Sequence, residues 1–313
     1  MNIAYSCNDY YIPQTGISMI SLFENNKQIE DICVYLVSID VSEHNIEILR
    51  GIAKDYNRTF IEIKFKDIAY DLVLSATGRH IESVYTKVFF SRIVGVNKMI
   101  YLDSDTIVAG SLKELWEDSL DGYYMGVVET NPTQYYKELE LPKGERFFND
   151  GMAIVNVDYC RENNLIEKVL DVVNAFDGNP PTLSEGALNK VCYGKVKYIS
   201  LRYNLMAGLL FLIRLDPDYV AHSLHYDKDD LIDSCNNPVV IHFLSAYYNR
   251  PWFKRCTHPY KNLYLKYKDM SPWKDDPLKD GNIPLRIRLI SLMFRTIGVK
   301  NTERIRKVLG KNK

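Results

Sequence analysis

The apolar positions of the first hundred residues follow two periods in turn. Asn2 to Cys7 is a short apolar run that predicts a strand, and Pro13 to about Asn26 has helical spacing, with proline permitted in the first turn. Ile32-Cys33-Val34-Tyr35-Leu36-Val37 is continuously apolar, as expected of a strand covered on both faces. Ser42 is placed to cap a helix reaching about Tyr56, and Phe60-Ile61-Glu62-Ile63-Lys64-Phe65 alternates as a third strand. This β-α-β-α-β order predicts an α/β fold with parallel strands joined by right-handed crossovers.

Further along, Ile81 to Val94 predicts a helix leading into Lys98-Met99-Ile100-Tyr101-Leu102, another buried strand. A helix is expected near Ser111, with strands at Tyr123 to Val128 and Met152 to Val157. Asp158 and Ser184 are placed to cap the helices that follow them, the second running from about Glu185 to Val191. Pro238-Val239-Val240-Ile241 is the last clear strand. The longest apolar run, Leu205 to Ile213, is too short to span a bilayer. Composition divides the chain into a body, residues 1–273, and a basic tail, residues 274–313.

Charge sharpens that division. From Pro284 to Lys313 there are nine Lys or Arg and one Glu, although the whole chain carries −1. An acidic body argues against nucleic-acid binding by the core, and the tail suits an anionic surface. Leu285, Leu289, Ile290, Leu292, Met293 and Phe294 lie among Arg286, Arg288 and Arg295, a mixture that predicts an interfacial helix making peripheral contact with a membrane, or else a helix packed on the body. The six cysteines form no C-x-x-C pair, and the N-terminus lacks the basic start and apolar stretch of a signal peptide. The missing pair argues against a zinc or redox site, and Cys33, in an apolar run as expected of a reduced structural cysteine, predicts a reducing, cytoplasmic setting. The 23 tyrosines suit recognition of sugars or bases, or reflect compositional bias.

The candidate chemistry lies at Tyr101-Leu102-Asp103-Ser104-Asp105. Extended backbone points side chains i and i+2 to one face, so Asp103 and Asp105 can reach one divalent ion. They follow a buried strand, and the carboxyl ends of parallel strands are where such folds bind ligands. Hard cations take oxygen ligands. His242 ends another buried strand; it is either a hydrogen-bonded core histidine or the nitrogen ligand of a site suited to manganese.

Several short segments, in this order, give the chain its resemblance to a family: Ile3-Ala4-Tyr5-Ser6 with Asn8, Asp9 and Tyr11; Tyr101-Leu102-Asp103-Ser104-Asp105; Phe148-Asn149-Asp150-Gly151; Ala187-Leu188-Asn189; and Ile241-His242-Phe243 with Arg250-Pro251-Trp252. The sequence resembles glycosyltransferase family 8, retaining enzymes of the GT-A fold with a mixed central sheet, over roughly residues 1 to 260. The resemblance implies a UDP-sugar donor, manganese or magnesium, and transfer of glucose or galactose to a glycan or glycolipid acceptor in bacterial surface polysaccharide synthesis. It implies metal ligation by Asp103, Asp105 and His242. Donor contacts are implied at Ser6, Asn8, Tyr11, Lys87, Asp103, Ser104 and Arg250, and contact with the reacting sugar at Asn149, Asp150 and Glu185.

The chain departs from the family pattern in places. Many relatives have Asp-Gln-Asp where this chain has Ser184-Glu185-Gly186, so Glu185 stands at the glutamine position. A glutamate there is a candidate nucleophile or a stabiliser of an oxocarbenium ion; it would also be an ordinary first-turn glutamate. Lys87 stands where many relatives have Arg, and its plain alternative is a solvent-exposed helix lysine. Arg250 replaces a lysine. Two competing classes remain. A catalytically inactive nucleotide-sugar-binding module would bind UDP without releasing it from a sugar. A phosphohydrolase of the haloacid dehalogenase type is disfavoured by Ile107 at the fourth position after the first Asp, and by the motif lying a third of the way along the chain.

Overall fold

A computed structural model describes residues 1–74, 81–130, 134–142 and 144–310. The chain divides into two compact units, Met1–Ile199 and Ser200–Lys313. The compositional boundary at 273/274 falls inside the second.

The first unit is built on β1 (Asn2–Asn8), α1 (Ile12–Asn25), β2 (Cys33–Ile39), α2 (Glu43–Asp55), β3 (Thr59–Lys64), β4 (Lys98–Asp103), β5 (Thr106–Val108), β6 (Met125–Thr130), β7 (Phe147–Asn156) and β8 (Val196–Tyr198). Seven of these strands form one sheet in the order β3-β2-β1-β4-β7-β6-β8. β3, β2, β1 and β4 run parallel. β7 is antiparallel to both β4 and β6, which makes the sheet mixed. The continuous apolar runs are the central strands: Ile3, Ala4, Tyr5, Val34, Leu36, Met99, Ile100 and Leu102 are fully buried. β3, whose sequence alternates, lies at the sheet edge.

Two differences from the sequence expectation shape the site. The helix expected over Ile81 to Val94 is a short α-helix, Ile81–Tyr85, followed by a 3-10 helix, Thr86–Arg92. Thr86, Lys87, Val88, Phe89, Phe90 and Ser91 are all buried. An α-helix with one apolar stripe does not bury six consecutive side chains, and tertiary packing has overridden helical periodicity. β7 begins at Phe147 rather than Met152, because it continues through a bulge. Val127 pairs with Ala153, but the next residue of β6, Val128, pairs with Asn149. Asp150, Gly151 and Met152 are thus looped out opposite β6, which alternating hydrophobicity does not reveal.

Two expected caps differ as well. Ser42 precedes α2 without a side-chain cap bond, and its hydroxyl donates to Asp9 Oδ1 at 2.9 Å. Asn156, not Asp158, caps the Val157–Glu162 helix by accepting from the Tyr159 amide.

In the second unit β9 (Leu205–Met206) pairs parallel with β10 (Val240–His242). The apolar run from Leu205 becomes β9 and a buried helix, Ala207–Leu215. The basic tail folds as two helices, Leu285–Ile297 and Val299–Gly310. Phe294 docks the first by edge contacts with Phe211 and Tyr247 and is 1% exposed. Leu285, Leu289 and Leu292 stay exposed, and no described helix is long and apolar enough to cross a membrane.

Candidate active site

In the first unit the predicted residues gather at the carboxyl ends of β1 and β4, which lie side by side with Ser6 opposite Asp103. Asp103 is half-buried, and its Oδ1 accepts a short hydrogen bond from the Tyr101 hydroxyl. That hydroxyl is 3.0 Å from Ser6 Oγ. The polypeptide turns after Asp103, and Thr106 Oγ1 closes the turn by donating to the Asp103 carbonyl at 2.8 Å. Ser104 points inward: its hydroxyl donates to the Ser6 carbonyl at 2.9 Å and accepts from Thr15 Oγ1 at 2.9 Å. It ties β1 and α1 to the acidic turn. Asp105 is buried.

Lys87 is not the exposed helix lysine that its position allowed. It is buried, with Nζ donating to the Asp150 carbonyl at 3.0 Å, 3.1 Å from Asp150 Oδ1 and 3.9 Å from Asp103 Oδ1. It also lies 4.8 Å from the centre of the Tyr101 ring. Burial works against its charge, but the Asp150 and Asp103 carboxylates, and more weakly Glu185, outweigh that and raise its pKa.

The β7 bulge delivers Asn149 and Asp150. Asn149 Nδ2 donates to Glu185 Oε2 at 2.8 Å, and Asn149 Oδ1 accepts from the Gly151 amide at 3.2 Å. Asp150 Oδ2 accepts from Ser184 Oγ at 2.7 Å. Ser184 is therefore not a helix cap. Leu183 precedes the Ser184–Val191 helix with φ 56 and ψ −128, and Thr182 before it also has positive φ. Two consecutive non-glycine residues in that region store backbone strain beside the cluster. Gly186 is required by close packing: a Cβ there would lie 1.9 Å from the Pro181 carbonyl oxygen.

Glu185 is partly buried, and burial, then the charge of Asp150, push its carboxyl up to about 8 against the opposing pull of Asn149 and Lys87. The cluster is a buried lysine, two aspartates and an acid poised near neutrality, a combination typical of functional sites.

Asn8 caps the 3-10 turn Asp9–Tyr11 by accepting from the Tyr10 amide at 3.2 Å. Tyr11 is half-buried in edge contact with exposed Tyr10. Asp9, named in the sequence without a role, accepts from the Ser42 amide, the Ser42 hydroxyl and Asn45 Nδ2 at 2.8–2.9 Å, and so joins the end of β1 to the start of α2.

In the second unit His242 is fully buried at the end of β10, with Nδ1 3.0 Å from Asn204 Oδ1. Arg250 donates from Nε to the Phe243 carbonyl at 3.3 Å, with its guanidinium 5.4 Å from the centre of the Trp252 ring.

A mixed α/β sheet with an acidic turn at the carboxyl end of a central strand is the arrangement of the GT-A fold. The chain matches the glycosyl transferase family 8 profile over residues 2–256 and belongs to that family; it is a glycosyltransferase. It is 27% identical over 314 residues to a protein of Haemophilus influenzae named as a glycosyltransferase, covering 94% of this chain and 87% of that protein. It is 24% identical over 289 residues to the lipopolysaccharide 1,2-glucosyltransferase of Escherichia coli K12, covering 90% and 81% respectively. Its fold matches the galactosyltransferase LgtC, solved with donor and acceptor sugar analogs, at a TM-score of 0.69 and 21% identity over 87% of this chain and 96% of that one.

Proposed function

We propose that this protein is a retaining hexosyltransferase that moves glucose or galactose from UDP to a glycan or glycolipid acceptor in bacterial surface polysaccharide synthesis. The observation that carries the reading is the Lys87–Asp150–Asn149–Glu185 network beside Asp103, in which Lys87 and Asp150 are buried. The lipopolysaccharide glucosyltransferase among the relatives supports the donor and acceptor classes.

The proposed metal ligands are Asp103, Asp105 and His242. Two carboxylates and an imidazole suit manganese or magnesium. When His242 Nδ1 donates to Asn204 Oδ1, Nε2 is the unprotonated ring nitrogen, the form in which a histidine ligates a metal. A divalent ion held there would act as a Lewis acid for the leaving diphosphate. Arg250 is the proposed cationic partner of the same diphosphate. Ser6, Asn8 and Tyr11 are assigned to the nucleoside and Ser104 to the shape of the acidic turn. Lys87, Asn149 and Asp150 are assigned to hydroxyls of the donor sugar. Glu185 stands at its reacting face, where its anion serves as nucleophile or as stabiliser of positive charge at the anomeric carbon.

The exposed Leu285, Leu289 and Leu292 fall at helical spacing i, i+4 and i+7, flanked by exposed Arg288 and Arg295. An apolar face bordered by arginines complements an anionic lipid surface, and we assign this face to peripheral contact with the cytoplasmic side of the membrane.

The test is UDP release from UDP-glucose and UDP-galactose, with manganese and with chelator. Metal-dependent release that Asp105→Asn abolishes is the expected result. UDP binding without release from either donor, in the presence of candidate acceptors, would favour an inactive binding module.

A further inference from the structure

The β7 bulge creates a problem that one side chain solves. Residues 152–156 of β7 pair with β4, and Met152 opposite Leu102 is the last pair of that ladder. Before the bulge, Phe147, Phe148 and Asn149 remain paired with β6 alone. Phe148 is buried, so its backbone groups need partners there.

Asn189 supplies them. Its Oδ1 accepts from the Phe148 amide at 2.9 Å, and its Nδ2 donates to the Phe148 carbonyl at 3.0 Å. The side-chain amide thus makes the paired bonds that a neighbouring strand would make. Its second Nδ2 hydrogen goes to the Glu185 carbonyl at 2.8 Å, and the residue is 4% exposed. Phe148 directly precedes Asn149, whose side chain holds the Glu185 carboxyl. One buried amide therefore steadies both ends of the Asn149–Glu185 hydrogen bond, through the backbone of Phe148 next to Asn149 and the backbone of Glu185 itself.

We propose that Asn189 is a positioning residue that sets the Glu185 carboxyl and the Asn149–Asp150 segment in register for sugar transfer. The proposal rests on the donor-sugar role given to that cluster above. An amide is needed because it both accepts and donates in one plane. An aspartate accepts from the Phe148 amide but meets two carbonyl oxygens without a proton to give. Glutamine is one methylene too long for a packed interior.

The experiment compares the full-length wild type with Asn189→Ala, Asn189→Asp and Asn189→Ser, measuring kcat, KM for the UDP-sugar, UDP affinity by calorimetry and the pH profile of kcat. A misplacement of about 1 Å at a reacting group costs about 100-fold in rate. The expected result is a kcat loss of that order in Asn189→Ala with UDP affinity retained, a changed pH profile, and partial recovery in Asn189→Ser, whose hydroxyl restores one bond. Wild-type kcat and pH profile in a folded, UDP-binding Asn189→Ala would overturn the proposal. So would equal loss of UDP affinity and kcat in all three variants, which marks a purely structural role. Failure of the wild type to release UDP from any donor would instead overturn the parent reading.

Discussion

Lys87 Nζ lies 3.1 Å from Asp150 Oδ1 and also donates to the Asp150 backbone carbonyl, so one buried ammonium grips both the side chain and the main chain of the bulge. Through Asp103, 3.9 Å away, the same cation joins the β7 bulge to the end of β4. The site is thus cross-linked electrostatically before any donor arrives.

Replacing Lys87 tests that cross-link. Lys87→Met leaves two carboxylates facing each other without their cation, and removing one partner of a buried ion pair costs about 3–5 kcal/mol. Thermal unfolding should report a loss of that order. Lys87→Arg keeps the charge and should recover most of the stability while losing turnover, since its planar fork does not occupy the place of a compact ammonium. Unchanged unfolding of Lys87→Met would show that the ion pair contributes nothing.

The Glu185 carboxyl, raised to about 8, makes stability depend on pH with a definite sign. The folded state binds this proton more tightly than the unfolded state, whose value is the ordinary one near 4.5. Its contribution is therefore complete below the unfolded value and is lost as pH rises through about 8. Unfolding temperature should fall across that window in wild type and fall less in Glu185→Gln. If the anion is the working form, kcat of the wild type should rise across the same window. A kcat that falls across that window would assign Glu185 to its neutral, hydrogen-bonding form.

Gly186→Ala probes the strained entry to the Ser184–Val191 helix. Its Cβ would stand 1.9 Å from a backbone oxygen that cannot rotate away, so the helix must move. Overpacking of this kind costs about 1–3 kcal/mol. The displacement carries Glu185 with it, so kcat should fall much more than UDP affinity. Parallel unfolding curves and kinetics for the two proteins would show the helix has room to spare.

The tail helix gives a prediction separate from catalysis. Changing Leu285, Leu289 and Leu292 to Ser should weaken sedimentation with anionic vesicles by about tenfold per leucine, on the usual transfer free energy of a buried side chain. UDP release with a soluble acceptor should be unaffected. Added salt should weaken the wild type further by screening its arginines. Equal sedimentation of both proteins would leave the exposed leucines without a lipid partner.

By itself the sequence determined the α/β class, the parallel run of the first three strands and the acidic turn at the end of β4. Each of these follows from contiguous residues. A run such as Ile32 to Val37 is buried on both faces wherever it is placed, and Asp103 and Asp105 share a face because extended backbone alternates. The order of short segments was enough to place the chain in its family. Tertiary structure alone decided what had no local signal. The bulge at Asp150–Met152 arises from mispairing between β6 and β7. The burial of Lys87 comes from packing that overrode helical spacing. Ser184 could be read as a cap from its place before a helix, yet its hydroxyl bonds Asp150, 34 residues away in the chain. Asn189 looked like one letter of a motif, and its function appears only where three backbone groups from two segments converge on it. Local periodicity encodes which face of an element is buried; partners distant along the chain are chosen by the packing of whole elements, which no window of sequence contains.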